Sequence, residues 1–140
     1  MIWYKDYKIT DWEDRGKNTI HDSLGIEITE VGENTISGRM PIDERTFQPM
    51  RILHGGASVV LAESLGSIGS SMIVDPEQYY AVGQSIQANH VRPGIKGWVS
   101  GIAKPIHIGT RSHIWDIELF NDDRKLVCTC RLTMAIVKKA

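Results

Sequence analysis

At 140 residues, with 41% hydrophobic and 24% charged side chains, the chain has the size and content of one compact domain, residues 1–140. A formal net charge of -1 and the lack of any basic run exclude the electrostatic footprint of a nucleic-acid binder or a membrane-surface protein. The expected partner is a small molecule or another subunit.

The N-terminal stretch MIWYKDYKITDWEDRGKN mixes acidic and basic residues where a secretory signal needs an apolar run, so a cytoplasmic location is expected. Within it, ITDWEDRGKN reads as a short helix ending near Gly16. LGIEITEV and NTISGRMPI then read as two strands joined at the turn signal beginning with Gly32, a hairpin. The stretch DERTFQPMRILHGG is irregular around Pro49, and a helical pattern starts at Gly56 or Ala57. Ala57, Leu61, Leu65, Ile68 and Met72 recur at steps of four, four, three and four, one apolar stripe.

Four segments follow: AVGQSIQANHV, GWVSGIAKPIHI, HIWDIELF and KLVCTCRLTMAIV. Each is bounded by turn residues, and each reads as a strand. In the last, Leu126, Cys128, Cys130, Leu132, Met134 and Ile136 alternate with Lys125, Val127, Thr129, Arg131, Thr133 and Ala135, so one face needs an apolar cover. The only long helix available is the one after Pro49. The expected fold class is therefore α+β, a largely antiparallel sheet of about six strands packed on one central helix. Cys128 and Cys130 share a strand face and cannot easily bond each other, so they are expected as reduced core residues.

Between Ile52 and Val74 the only Asp, Glu, Lys or Arg is Glu63. Its central carboxylate, with the glycines and serines around it, argues for soluble burial over a membrane span. At 100° per residue it lies about 200° from both Leu61 and Leu65, away from the stripe. One reading is a solvated helix face. Yet positions 59, 60, 66 and 67 are Val, Val, Gly and Ser, without the charges such a face carries. The other reading sets this face, with Gly56, Gly66, Ser67 and Ser70, against a second subunit, with Glu63 in a crevice where a carboxylate can act as base or nucleophile. The preceding His54, Gly55 and Gly56 let backbone N–H groups at a helix N-terminus approach and polarise a carbonyl oxygen.

The segment QPMRILHGGASVVLAESLGS resembles the motif of hotdog-fold acyl-CoA thioesterases that hydrolyse aromatic substrates such as 4-hydroxybenzoyl-CoA and 1,4-dihydroxy-2-naphthoyl-CoA. MIWYKDYKIT, MPIDERTFQP, QANHVRPG and KPIHIGTRSHIWDIELF extend the resemblance over nearly the whole chain, including the branch that serves menaquinone synthesis. The resemblance implies a sheet wrapped around one helix and Glu63 as the catalytic carboxylate. Gln48 and the Gly55 N–H would hold the thioester carbonyl, His54 would position the reacting groups, and Ser67 would orient water or substrate. It further implies that Glu63 and Ser67 of one subunit face Gln48, His54 and Gly55 of another, in a dimer or a homotetramer.

For the coenzyme A end, the resemblance implicates Gly83, then His90, Val91, Arg92 and Pro93, and then His107, Ile108, Gly109, Thr110, Arg111 and Ser112. Coenzyme A is part of the substrate, and no separate cofactor is expected. Where many relatives carry Gly after the segment containing Gln48, this chain has Met50 and Arg51. The histidines and cysteines match no zinc spacing, so no metal site is expected. The leading expectation is hydrolysis of aromatic acyl-CoA thioesters, 1,4-dihydroxy-2-naphthoyl-CoA first. The alternatives are an idle module that binds acyl-CoA or acyl carrier protein, and a hydratase, for which no Asp and His pair stands at the helix start.

Overall fold

The computed structural model describes residues 1–140. In chain order, α1 (Thr10–Glu13) runs into a 3-10 turn (Asp14–Gly16), followed by α2 (Ile20–Leu24), β1 (Glu27–Val31), β2 (Ile36–Pro41), α3 (Gly55–Ile73), β3 (Tyr79–His90), β4 (Trp98–Ile108), β5 (Ser112–Phe120) and β6 (Leu126–Lys138). The six strands form one sheet in the order β1-β2-β4-β5-β6-β3, and every neighbouring pair is antiparallel. Register shifts at Gly83/Ser85 in β3 and Pro105/His107 in β4 add twist where the sheet curls around α3. This is the hotdog arrangement, as the resemblance implied.

The apolar stripe meets the sheet. Leu61, Leu65 and Met72 are fully buried, Ala57 and Ile68 nearly so, and inward-facing Trp115, Ile117, Leu119, Leu132 and Met134 close over them. Long and apolar enough to cross a membrane by composition, α3 is here a core helix, with 11 of its 19 residues buried. Cys128 and Cys130 are buried and free, with sulfurs 3.5 Å apart.

The helix begins one residue before the expected start. His54 adopts an extended backbone and its Nδ1 accepts from the Gly56 N–H at 2.8 Å, a cap that makes Gly55 the first helical residue. α2, not expected, is held by Thr19 at one end and by Gly25 in the left-handed region (φ 71°) at the other.

The face expected to meet a second subunit needs correction. Gly66 and Ser70 point into the sheet: a Cβ at Gly66 would overlap Leu132 and crowd Trp115 at 3.4 Å, and Ser70 is fully buried beneath Trp115 and His113. The curved sheet covers more of the helix circumference than one apolar stripe reveals. What stays half-buried is a narrower band of Val59, Val60, Glu63, Ser67 and Ser71.

Candidate active site

Glu63 leaves α3 on that band toward β3, and none of the chain's ion pairs involves it. Its carboxylate lies over Gly83, where a Cβ would stand 2.6 Å from Oε1. The bare glycine backbone is what lets the charged group lie flat on the strand. Ser67, one turn on, has its hydroxyl 3.5 Å from the Met134 sulfur, a weak partner that leaves the oxygen available.

Gln48, His54 and Gly55 form a second cluster at the start of α3. A short ladder, Phe47 against Leu53, brings Gln48 beside the helix N-terminus, with Gln48 N–H donating to the Ile52 carbonyl at 2.9 Å. The loop turns on Arg51, whose φ of 65° lies in the left-handed region that favours glycine. The Gln48 side-chain oxygen accepts from the Met50 N–H, so its amide nitrogen is the free end. His54, capping through Nδ1, carries its proton on Nε2, and Gly55 as first helical residue has an N–H with no acceptor inside the helix. The loop and the helix start thus carry two free donors and an imidazole, the kinds of group that can polarise a carbonyl oxygen.

These clusters are not one site within one chain. Gly55 and Glu63 are eight residues apart on one helix, about 12 Å along its axis, too far for the oxygen and the carbon of a single carbonyl.

The residues assigned to the coenzyme A end divide in the same way. His90, Val91, Arg92 and Pro93 line a crevice of about 380 Å³ with Gly55 and Ser58. There His90 Nε2 lies where a Gly55 Cβ would come within 2.9 Å, and Arg92 donates to the Leu126 carbonyl at 2.7 Å. Gly83, by contrast, pairs with Met134, Met134 with His113, and His113 with Ile108. That row reaches the turn carrying His107, Ile108, Gly109, Thr110, Arg111 and Ser112 about 14 Å from β3, the strand beneath Glu63, three strand spacings away. Along β3, Gly83 and His90 are separated by about 23 Å. One group therefore goes with Glu63 and the other with Gly55.

Two polar clusters escaped the sequence reading. His21 Nε2 lies 2.8 Å from the Ser64 hydroxyl, pinning α2 to α3 beside a cavity of about 420 Å³ lined by Trp12, Ile20, Ile26 and Ile68. Burial pushes the His21 imidazole below its usual range. His113 and Trp115 both reach Ser70. Strand alternation was the available signal for these two, since His113, Trp115, Ile117 and Leu119 occupy one face of β5 and are all buried.

A sequence model of the thioesterase superfamily matches residues 50–128. The chain is 42% identical over 137 residues to the 1,4-dihydroxy-2-naphthoyl-CoA hydrolase of Escherichia coli, covering 98% of this chain and 100% of that protein. Among solved structures, a mutant thioesterase from Pseudomonas aeruginosa superposes with a TM-score of 0.98 at 45% identity, covering 99% of this chain and 100% of that one. A thioesterase from Haemophilus influenzae gives 0.95 at 39% identity, covering 99% and 96%.

Proposed function

Because the chain belongs to the thioesterase superfamily and is a thioester hydrolase, we propose that it hydrolyses aromatic acyl-CoA thioesters in a site shared by two copies of itself. The observation that carries the shared site is the place of β3. Gly83, beneath Glu63, and His90, beside Gly55, lie toward opposite ends of the same strand, and that strand is an edge of the sheet. An antiparallel pairing of two β3 edges sets the Gly83 end of one against the His90 end of the other. Glu63 of one copy then meets Gln48 and Gly55 of its partner. β3 is twelve residues long and contains no Asp, Glu, Lys, Arg or Pro, the devices that normally protect an open edge.

In this arrangement the thioester carbonyl oxygen accepts from the Gly55 N–H and the Gln48 amide. Glu63 either takes a proton from an attacking water or attacks the carbonyl carbon itself, giving a mixed anhydride that water opens. By both routes the C–S bond breaks, the electron pair leaves on the coenzyme A sulfur, and the products are the free acid and the thiol. Ser67 stands one turn from Glu63 to orient the water, and His54 borders the donor pair. The nucleotide end extends toward the 107–112 turn on the Glu63 side or the 90–93 segment on the other, both reached by an extended pantetheine arm. The reaction as proposed draws on Glu63, water and these donors alone, and its substrates are those of the cytoplasm.

The acyl group we assign first is 1,4-dihydroxy-2-naphthoyl. Its support is the full-length similarity to the E. coli hydrolase of that name. A panel of 1,4-dihydroxy-2-naphthoyl-CoA, benzoyl-CoA and a fatty acyl-CoA, with released thiol followed by a thiol reagent, tests the assignment. The naphthoyl thioester should give the highest kcat/KM, and a preference for the fatty acyl chain would refute it.

A further inference from the structure

The hydrolysis drawn above ends in a thiol, so a proton must reach the coenzyme A sulfur as the C–S bond opens. An alkyl thiolate is basic, a cysteine thiol having a value of about 8.5, and a proton delivered during bond breaking lowers the barrier. In the anhydride route Glu63 attacks as a carboxylate and has no proton to give. The donor then has to stand on the other side of the site, with Gly55.

The crevice of about 380 Å³ opens there, and its polar side chains are Ser58, His90 and Arg92. Ser58 is 1% exposed, and a serine hydroxyl gives up no proton near neutral pH. The Arg92 guanidinium stays charged and is engaged with the Leu126 carbonyl at 2.7 Å. Imidazole is the side chain that gains and loses a proton in this range. A methyl group on Gly55 would stand 2.9 Å from His90 Nε2 and 3.1 Å from Cε1, so the edge of the ring lies against the backbone that carries the oxyanion donor. In the shared site, the thioester sulfur is bonded to the same carbon as the oxygen that this N–H holds.

His54 is nearer in sequence but is spent as a cap. Its Nδ1 accepts from the Gly56 N–H at 2.8 Å, so the ring is held neutral with one proton, and losing that proton would leave an imidazolate. The rings of His21, His54 and His113 are each hydrogen-bonded within the chain, whereas neither nitrogen of His90 is. His90 can therefore carry two protons and give up one.

We infer that His90, on the copy that supplies Gly55, is the general acid that protonates the coenzyme A sulfur. The inference rests on the acyl-CoA reading above and adds to it the source of the thiol's proton. As the C–S electron pair goes to sulfur, the Nε2–H bond breaks, the S–H bond forms and His90 is left neutral. It regains a proton through solvent. In the base route this is the proton that Glu63 took from water, and in the anhydride route it comes from the water that opens the anhydride.

The test is steady-state hydrolysis of benzoyl-CoA by the full protein. His90→Gln keeps an N–H near the place of Nε2 but has no proton to transfer, so it should lower kcat about 10²-fold and leave KM within about threefold. His90→Ala should lose as much. Imidazole added to the buffer should restore that variant about tenfold, while acetamide, which hydrogen-bonds but does not titrate, should not. His90 is exposed at the end of β3, so both variants should melt with the wild type. Wild-type kcat in His90→Gln, a change confined to KM, or a loss that imidazole does not repair would each overturn the inference. So would equal repair by acetamide, the mark of a residue that only holds the substrate. Wild-type protein that prefers a fatty acyl-CoA would refute the aromatic reading, and the same comparison on that thioester would still decide the role of His90. Wild-type protein that hydrolyses no acyl-CoA would overturn both.

Discussion

The Glu63 carboxylate rests on the bare backbone of Gly83, with no room for a methyl group between them. A Gly83→Ala side chain would stand 2.6 Å from Oε1 and push the carboxylate off the strand. Because Glu63 is half-buried and makes no ion pair, the displacement should cost little stability. Its effect should fall on chemistry, where a misplacement near 1 Å costs about 10²-fold. The check is kcat on benzoyl-CoA beside a thermal melt, and full kcat with an unchanged melt would show that Glu63 does not act from this position.

Glu63→Gln keeps the shape of the side chain but can neither accept a proton nor attack. We expect kcat to fall by about 10² to 10⁴ if Glu63 is a base, and by more if it is the nucleophile. A single turnover of the wild-type protein in ¹⁸O-water separates the routes, since only the anhydride route puts label into the Glu63 carboxylate before the product. Near wild-type turnover by Glu63→Gln would sink the assignment.

Gln48→Ala alone should lower kcat by roughly 10- to 10³-fold, the range for one oxyanion donor, whereas an effect confined to KM would make Gln48 a binding group. Co-refolding equal amounts of Glu63→Gln and Gln48→Ala subunits gives the sharper result. Half the pairs are mixed, and each mixed pair holds one site with both lesions and one with neither. About a quarter of all sites should regain activity in a two-fold assembly. No recovery, or a fully active monomer on sedimentation, would refute the shared site.

His21 and His113 are both held below their ordinary value of 6.5, chiefly by burial. The unfolded chain therefore binds protons at a higher pH than the folded one. Stability should be at its full value above about pH 6.5, decline as pH falls below it, and level off once the depressed folded values are passed. Asp43 and Asp75 lie below their ordinary 3.8 through hydrogen bonds from Arg45 and Gln78, so they titrate beneath this window. Urea midpoints at pH 8 and pH 5.5 should differ, and His113→Phe should shrink the difference. Equal wild-type midpoints would contradict the prediction.

The strands were legible because one curved sheet face imposes period-two burial on β5 and β6, and the stripe from Ala57 to Met72 gave the helix. α2 was not legible, since five residues are too few for a helical period and its signals are a threonine cap and Gly25. The start of α3 at Gly55 was hidden by two glycines that disfavour a helix, outweighed here by the His54 cap. Gly66 and Ser70 misled because small and polar residues read as surface; they are buried because Trp115 fills the space beside them. Glu63, Gln48 and Gly55 stood out in the sequence as candidate chemistry, and the resemblance already divided them between two subunits; that β3 is the element along which they divide is a property of the folded sheet. Arg51 marks the reverse case, where a departure from glycine in the sequence falls on a left-handed backbone position.

The strand order also sets a timetable for biosynthesis. β3 follows the helix directly, yet its only hydrogen-bonded neighbour is β6, whose first residue lies 36 positions after the last residue of β3. While the ribosome adds about 5 to 20 residues each second, β3 waits seconds without a partner, an uncharged strand open on both sides. The edge that would join two copies thus exists only after β6 has docked. Slowing translation between β3 and β6 should therefore raise the aggregated fraction.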